Sequence, residues 1–274
     1  MKNFTIQTRH NLTFIVCDPL TELGFVNAFS TRLSGDAAQQ NEFTLGNFND
    51  DQKVRVLANR RQFQAALGCE SFTLVTAKQI HSDFIRSIKD ENDAKAEPQE
   101  GDALTVNSPK ILLGIQTADC LPILIADPKT KAFAAIHAGW RGTFANIAAL
   151  TVERMQREYG SHPGDLHAAL GPAICAENFE VGPEVLEQFT TKFSYAKNLI
   201  SKIQPSGKGH FDLNACNVQQ LIEAGLQAEK IYDSALCTVN RNDLFFSYRK
   251  ERGHERYTGR LMSAVGIKMV VSGR

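Results

Sequence analysis

The strongest constraint on this chain is that its apolar residues fall into short runs that follow one another instead of alternating regularly with helices. Runs at 12–17, 26–30, 73–79, 103–106, 111–116, 122–126, 132–137 and 166–170 have strand length and are bounded by turn-forming residues. Helical spacing interrupts them at 51–67, which stops at Gly68, and again where Phe144, Ile147, Ala148, Thr151 and Met155 lead to Gly160. A third helix is expected over 183–193, with Pro183 in its first turn, and a fourth from the cap Asp212 to near Gly225. Strands crowd the first two-thirds of the chain, which predicts an α+β fold rather than a strictly alternating one. No repeat or Pro/Gly/Ser linker divides the sequence, and the polar stretch 89–101 reads as one solvated loop, so a single domain over 1–274 is expected.

Composition excludes several classes of function. Hydrophobic residues make up 43% and charged residues 22%, values of an ordinary globular protein and not of a disordered one. Lys plus Arg balances Asp plus Glu at 30 each, so no global field draws the protein to nucleic acid or an anionic membrane. Gln, Arg, His and Asn interrupt the first twenty residues, which argues against a signal peptide, and the apolar stretch 111–126 carries Gln116 and Asp119 and is too short to span a bilayer. A cytoplasmic protein is expected. The six cysteines, at 17, 69, 120, 175, 216 and 237, form no CxxC pair and no dense disulfide pattern; most should be reduced and buried.

Chemistry concentrates between Gly101 and Gly142, where strand-like runs end at polar residues that apolar packing would not select: Asp119, Cys120, His137 and Arg141. Upstream, Gln79-Ile80-His81 closes another run in the same way. Two imidazoles and a thiolate suit Zn²⁺, and three protein ligands leave a fourth position for water or substrate. Zinc there would lower the pKa of its water from about 15.7 to roughly 7, with Asp119 beside the thiolate to handle protons. The spacings of His81, Cys120 and His137 match neither zinc fingers nor HExxH, and on residue type alone each also suits a structural role. Arg141 between Gly139 and Gly142 offers a donor fork for phosphate or carboxylate, and Phe246-Ser247-Tyr248-Arg249-Lys250 with Thr258-Gly259-Arg260 offers a second set. Trp140 suits stacking on a base or packing in the core.

The ordered motifs QIH at 79–81, TADCLPIL at 117–124, HAGWRG at 137–142, GPAI at 171–174, FEVG at 179–182, FDL at 211–213, and FFSYR with TGR near the end resemble the YfiH-type family, also labelled polyphenol oxidase, multicopper laccase-like or purine nucleoside phosphorylase. The resemblance implies a layered α/β/β/α sandwich and a metal held by His81, Cys120 and His137. It also implies phosphorolysis of adenosine, inosine and methylthioadenosine, and deamination of adenosine. Asp119, Cys120 and Arg141 are the expected catalytic residues, and Gln79, Arg32, Arg141, Arg249 and Arg260 the expected substrate and phosphate ligands. The chain departs from the family after Arg32, where LSGDAAQQNEFTLGNFNDD replaces a Gly-rich run and Thr44 stands where Asn is common. Cys175 stands where Gly is more frequent and is not read as a nucleophile.

Three other functions compete with a zinc nucleoside enzyme whose partners are a nucleoside and phosphate. Copper-loaded phenol oxidation needs many His ligands, whereas the chain has seven His and no His-x-His pair; Cu²⁺ remains possible at the same three-ligand site. A cysteine hydrolase linked to peptidoglycan would use Cys120 as nucleophile with a His as base. A zinc-stabilised binding module would need a closed site, with His210 or His254 as fourth ligand. Oligomeric state is not legible at this level.

Overall fold

The computed structural model describes residues 2–34, 42–46, 50–253 and 258–267. The stretches 35–41 and 47–49 of the departing loop, and His254, lie outside the described residues. Strands run in chain order as β1 (Phe4–Arg9), β2 (Leu12–Cys17), β3 (Phe25–Ser34), β4 (Thr73–Thr76), β5 (Ile85–Ser87), β6 (Ala103–Val106), β7 (Ile111–Thr117), β8 (Leu121–Ala126), β9 (Phe133–Ala138) and β10 (His167–Leu170). They continue with β11 (Glu180–Val181), β12 (Ile200–Ser201), β13 (Gly209–Phe211), β14 (Ile231–Asp233) and β15 (Leu261–Ile267). The helices are α1 (Asp18–Glu22), α2 (Asp50–Ala66), α3 (Glu91–Lys95), α4 (Trp140–Phe144), α5 (Ile147–Tyr159), α6 (Pro183–Lys192), α7 (Leu213–Glu223) and α8 (Tyr248–Glu251).

Two six-stranded mixed sheets form the centre, one ordered β1-β2-β3-β15-β7-β4 and the other β14-β10-β8-β9-β6-β5. A three-stranded sheet, β11-β13-β12, stands apart from both. Most neighbours are antiparallel, while β4 with β7, β5 with β6 and β10 with β14 run parallel. The period-2 alternation of strand side chains sorts the apolar residues into three cores. On β8, Leu124 and Ala126 face the space between the sheets, where they meet Ile15, Phe29, Leu113 and Phe133. Leu121, Ile123 and Ile125 face the other way, onto Ile147, Val152 and Met155 of α5, Leu186 and Phe189 of α6, and Leu221 of α7. On the far side of the first sheet, Leu112, Met262 and Ala264 pack with Phe63 and Ala66 of α2. The result is the expected α/β/β/α layering.

Several local expectations need correction. The 89–101 stretch contains α3, started by the Asp90 carboxylate accepting from Asp93 N–H, with Ala94 buried. The continuous helix expected from 144 to 160 is two helices, broken at Asn146, which takes a left-handed φ of 69°. Strand β4 ends at Thr76 rather than 79, and β3 extends to Ser34. Strand β15, not anticipated at all, lies in the middle of the first sheet between β3 and β7. Its segment LMSAVGI carries Ser263 and Gly266, which hide its strand signature; Ser263 is buried all the same. Among the described residues, no helix is long and apolar enough to cross a membrane.

The chain passes from the first sheet to the second twice in this region, from β4 to β5 and from β7 to β8. His81 lies on the first of these connections and Cys120 on the second, next to the start of β8.

Candidate metal centre

His137 is the penultimate residue of β9, and the β8–β9 register sets it opposite Pro122, two residues beyond Cys120. The two sheet crossings and the end of β9 thus bring His81, Cys120 and His137 together, with one ligand atom of each lying within 4.8 Å of the others. His137 is buried, Cys120 half-buried and His81 exposed, so the cluster opens to one side. The two imidazoles stand edge to face, with ring centroids 4.8 Å apart, and His81 Nε2 is 3.9 Å from Cys120 Sγ.

The residue that organises this cluster is Asp102, which is not among the candidates legible in the sequence. Its buried carboxylate lies 2.8 Å from His137 Nδ1 and accepts the backbone N–H groups of Ile80, His81 and Ser82 as well as the Ser82 hydroxyl. One carboxylate therefore orients the His137 ring and holds the loop that carries His81. Burial acts against its charge, but the bonds from His137 and Ser82 outweigh it and bring its pKa down to about 2. With Nδ1–H donated to Asp102, His137 presents Nε2 to the cluster, as an imidazole ligand requires. The only signal in the sequence is a charged residue, in Gly-Asp-Ala, at the threshold of the buried strand β6.

Burial alone would raise the Cys120 thiol, yet the charge and hydrogen bond of His137 and the hydrogen bond of His81 bring it down to about 6. Burial alone would lower the His137 pKa, but the Cys120 thiolate and Asp102 raise it to about 9. The two shifts favour a thiolate beside an imidazolium, and His137 would have to release its Nε2 proton to ligate a metal. Two nitrogens and a thiolate within this span, an orienting carboxylate and an open side fit a three-ligand zinc site. No fourth donor joins them among the described residues. His210, one of the candidate fourth ligands, sits in β13 with its Nδ1 2.9 Å from the Ala176 carbonyl.

Backbone strain marks the same turns. His81 and Asp119 both have left-handed φ, 60° and 91°, which costs a non-glycine residue on the order of 1–3 kcal/mol. Asp102 holds the first of these turns. The second is held by the Asp119 carboxylate, which accepts the Thr238 hydroxyl at 2.6 Å and the Arg249 backbone N–H at 2.6 Å. Gly139 closes the cluster from behind: a Cβ there would lie 3.1 Å from both Cys120 Sγ and His81 Cδ2.

Above the cluster is a cleft of about 580 Å³ lined by Arg60, Lys78, Gln79, Gln116, Tyr248 and Arg260 together with the three donors. Of the expected substrate ligands, Gln79 and Arg260 are here. The Gln79 side chain makes two 2.7 Å bonds to the backbone of Gln116, which ties the crossing to β7. Arg260 is steered by Thr44, whose hydroxyl accepts the Arg260 N–H at 2.9 Å. Arg60 on α2, not singled out from the sequence, adds a second guanidinium; burial lowers its pKa to about 10.

The remaining expected ligands do not line this cleft. Arg32 pairs with Glu251 at 2.7 Å and borders a neighbouring cavity. Arg141 is exposed in the first turn of α4, stacked 4.3 Å over the Trp140 ring. Trp140 itself packs against the helix-side core. The Arg249 guanidinium donates to the carbonyls of Asn178 and Glu180. Each of these arginines is drawn away by a partner from a part of the chain, or a neighbouring ring, whose claim on it shows only in the folded molecule.

An α/β/β/α sandwich with an open His-Cys-His cluster where its two sheets exchange chain is the class of molecule these elements define. The chain belongs to the family described as multi-copper polyphenol oxidoreductase laccase, whose model matches residues 26–268. It is 36% identical over 234 residues, 82% of this chain and 88% of the other, to a protein from an unknown prokaryotic organism named adenosine deaminase RL5. It is 35% identical over 247 residues, 89% of this chain and 90% of the other, to a purine nucleoside phosphorylase of Deinococcus radiodurans. The crystal structure of the Bacillus licheniformis hypothetical protein YfiH superposes with a TM-score of 0.86 at 28% identity, covering 96% of this chain and 99% of that one. The YfiH-type resemblance of the motifs is borne out.

Proposed function

We propose that the protein is a zinc enzyme of purine nucleosides that phosphorolyses adenosine, inosine and methylthioadenosine and deaminates adenosine. The observation that carries this reading is the convergence of two imidazoles and a thiolate on the floor of an open cleft that also holds two guanidinium groups. The names of the similar proteins, adenosine deaminase and purine nucleoside phosphorylase, support the substrate class.

His81, Cys120 and His137 would hold the zinc, which would supply a Lewis acid beside the cleft. Asp102 keeps His137 in the tautomer that ligates. Arg260 and Arg60, whose guanidinium groups also donate to the carbonyls of Thr258 and Gly259 and of Leu45, bring positive charge to the cleft for phosphate, the role expected of Arg141, Arg249 and Arg32 along with Arg260. Tyr248, exposed at the cleft, offers a ring for the base, in place of Trp140. Asp119, with both carboxylate oxygens engaged, acts as a positioning residue that fixes the Cys120 turn. Six free cysteines support a reducing, cytoplasmic setting.

One observation favours a second reading: a thiol with a pKa of about 6 beside His137 is also what a cysteine hydrolase requires. A copper-loaded oxidase would use the same three donors. The deciding experiment is metal content by mass spectrometry on protein purified without added metal, with adenosine assays in the presence and absence of phosphate, for wild type and Cys120→Ala. Near-stoichiometric zinc, lost in the variant, with adenine formed only when phosphate is present and inosine formed without it, is the expected result. Metal-free protein whose Cys120 alkylates rapidly would overturn it in favour of the hydrolase, and stoichiometric copper with phenol oxidation in favour of the oxidase.

A further inference from the structure

A second cleft, of about 550 Å³, shares no lining residue with the one above the metal cluster. Cys175 and Cys237 both border it, together with Asp212, Val218 and Asp233. They come from distant parts of the chain, joined because Ala173 and Cys237 form a parallel bridge and Thr238 N–H donates to the Ala173 carbonyl. The Cys175 backbone N–H points at Cys237 Sγ, 3.3 Å away. Asn178 Nδ2 bridges the pair, 3.1 Å from Cys175 Sγ and 3.4 Å from Cys237 Sγ. Donors gathered on sulfur favour thiolate over thiol: Cys237 Sγ takes the backbone N–H of Cys175 and Asn178 Nδ2, and Cys175 Sγ takes Asn178 Nδ2 and, at 3.9 Å, Asn240 Nδ2.

We propose that Cys237 and Cys175 form a thiol–disulfide exchange site for low-molecular-weight disulfides, with Cys237 the attacking thiolate and Cys175 the resolving thiol. Burial works against the Cys237 thiolate, but the bonds from Cys175 and Asn178 outweigh it and lower its pKa, while burial and the neighbouring Cys237 raise that of Cys175. This is the order that exchange needs. The Cys237 thiolate attacks one sulfur of a disulfide such as oxidised glutathione; a mixed disulfide forms and one glutathione thiolate leaves with the electron pair. Cys175 then gives its thiol proton to the departed thiolate and attacks the Cys237 sulfur, and the second glutathione leaves. Two protein thiols are oxidised to one disulfide and one disulfide is reduced to two thiols. The other three cysteines away from the metal do not line this cleft, and burial pushes the thiols of Cys17 and Cys216 up to about 12.

The test uses the full chain with its bound metal, incubated with oxidised glutathione, quenched in acid, alkylated, and mapped by peptide mass. A Cys175–Cys237 cross-link reversed by dithiothreitol is expected, forming at least about tenfold faster than any adduct on Cys17, Cys69 or Cys216. In Cys175→Ser and Cys175→Ala, Cys237 should instead retain one glutathione, and in Cys237→Ser the Cys175 thiol should stay unmodified. A wild-type pair that stays reduced under a large excess of oxidised glutathione would overturn the proposal. So would a stable glutathione adduct on wild-type Cys237, or an unmodified Cys237 in both Cys175 variants when their melting curves remain cooperative.

Discussion

At the scale of single residues, Asp102 and Gly139 decide whether three donors become a metal site. Asp102 accepts from His137 and from three successive backbone N–H groups of the His81 loop, so Asp102→Asn weakens one ligand's orientation and loosens the other's loop. Removing such an outer-shell partner lowers metal affinity by about 10–100-fold; competition with a chromogenic chelator should read a drop of that size, and unchanged affinity would refute the role. Gly139→Ala sets a methyl 3.1 Å from both Cys120 Sγ and His81 Cδ2, tighter than a cluster with a fixed span accommodates. Its expected result is a folded protein with far less bound zinc by mass spectrometry. Full zinc occupancy would show that Cys120 and His81 move aside at no cost. Neither residue could be chosen from sequence: Gly139 sits in the recognised HAGWRG motif with no sign of which glycine touches the sulfur, and Asp102 acts on residues far from it along the chain.

At the scale of elements, the paired strands β8 and β9 carry the site, and their connection is closed by Asp127. This buried carboxylate accepts the N–H of Lys129 at 2.8 Å and of Thr130 at 3.2 Å, and the Thr130 hydroxyl at 2.7 Å. Burial would raise its pKa, but bonds from Ser161, Thr130 and Lys129 outweigh burial and hold it below the ordinary value. A carboxyl whose pKa is lower folded than unfolded adds stability that is fully present above the unfolded value of about 3.9 and is lost as pH falls through the folded value. Asp127→Asn should therefore be clearly less stable than wild type in urea at pH 7, and the gap should narrow below about pH 4. A gap independent of pH would refute the electrostatic part of the argument. On the other face of β8, Ile125 is wholly buried against the helix layer. Ile125→Ala should cost about 2–5 kcal/mol in urea unfolding, and a cost under about 1 kcal/mol would mean the layer closes over the gap.

At the scale of the whole molecule, a metal in this cluster ties both sheet crossings to the end of β9, so it should stabilise the fold as well as act in it. A ligand that binds only the folded state adds about 4 kcal/mol when its free concentration is a thousand times its Kd. Stripping the metal with a chelator should lower the melting temperature by several degrees, zinc should restore it, and Cys120→Ala should melt near the stripped value with no response to zinc. Equal melting with and without metal would separate the cluster from stability. The donor chemistry, the continuous apolar runs that form β8 and β9, and the α+β class were legible in the sequence, because strand-length apolar runs and soft-ligand residue types are local properties. Only the tertiary structure decided which polar groups surround the donors. Strand β15 is central because β3 and β7 close on it, Arg249 is consumed by carbonyls of Asn178 and Glu180, and Arg60 reaches the cleft from α2. Each outcome depends on contacts between segments far apart in the chain, where the free energy of a side chain is set by the partners it meets after folding and not by its neighbours in sequence.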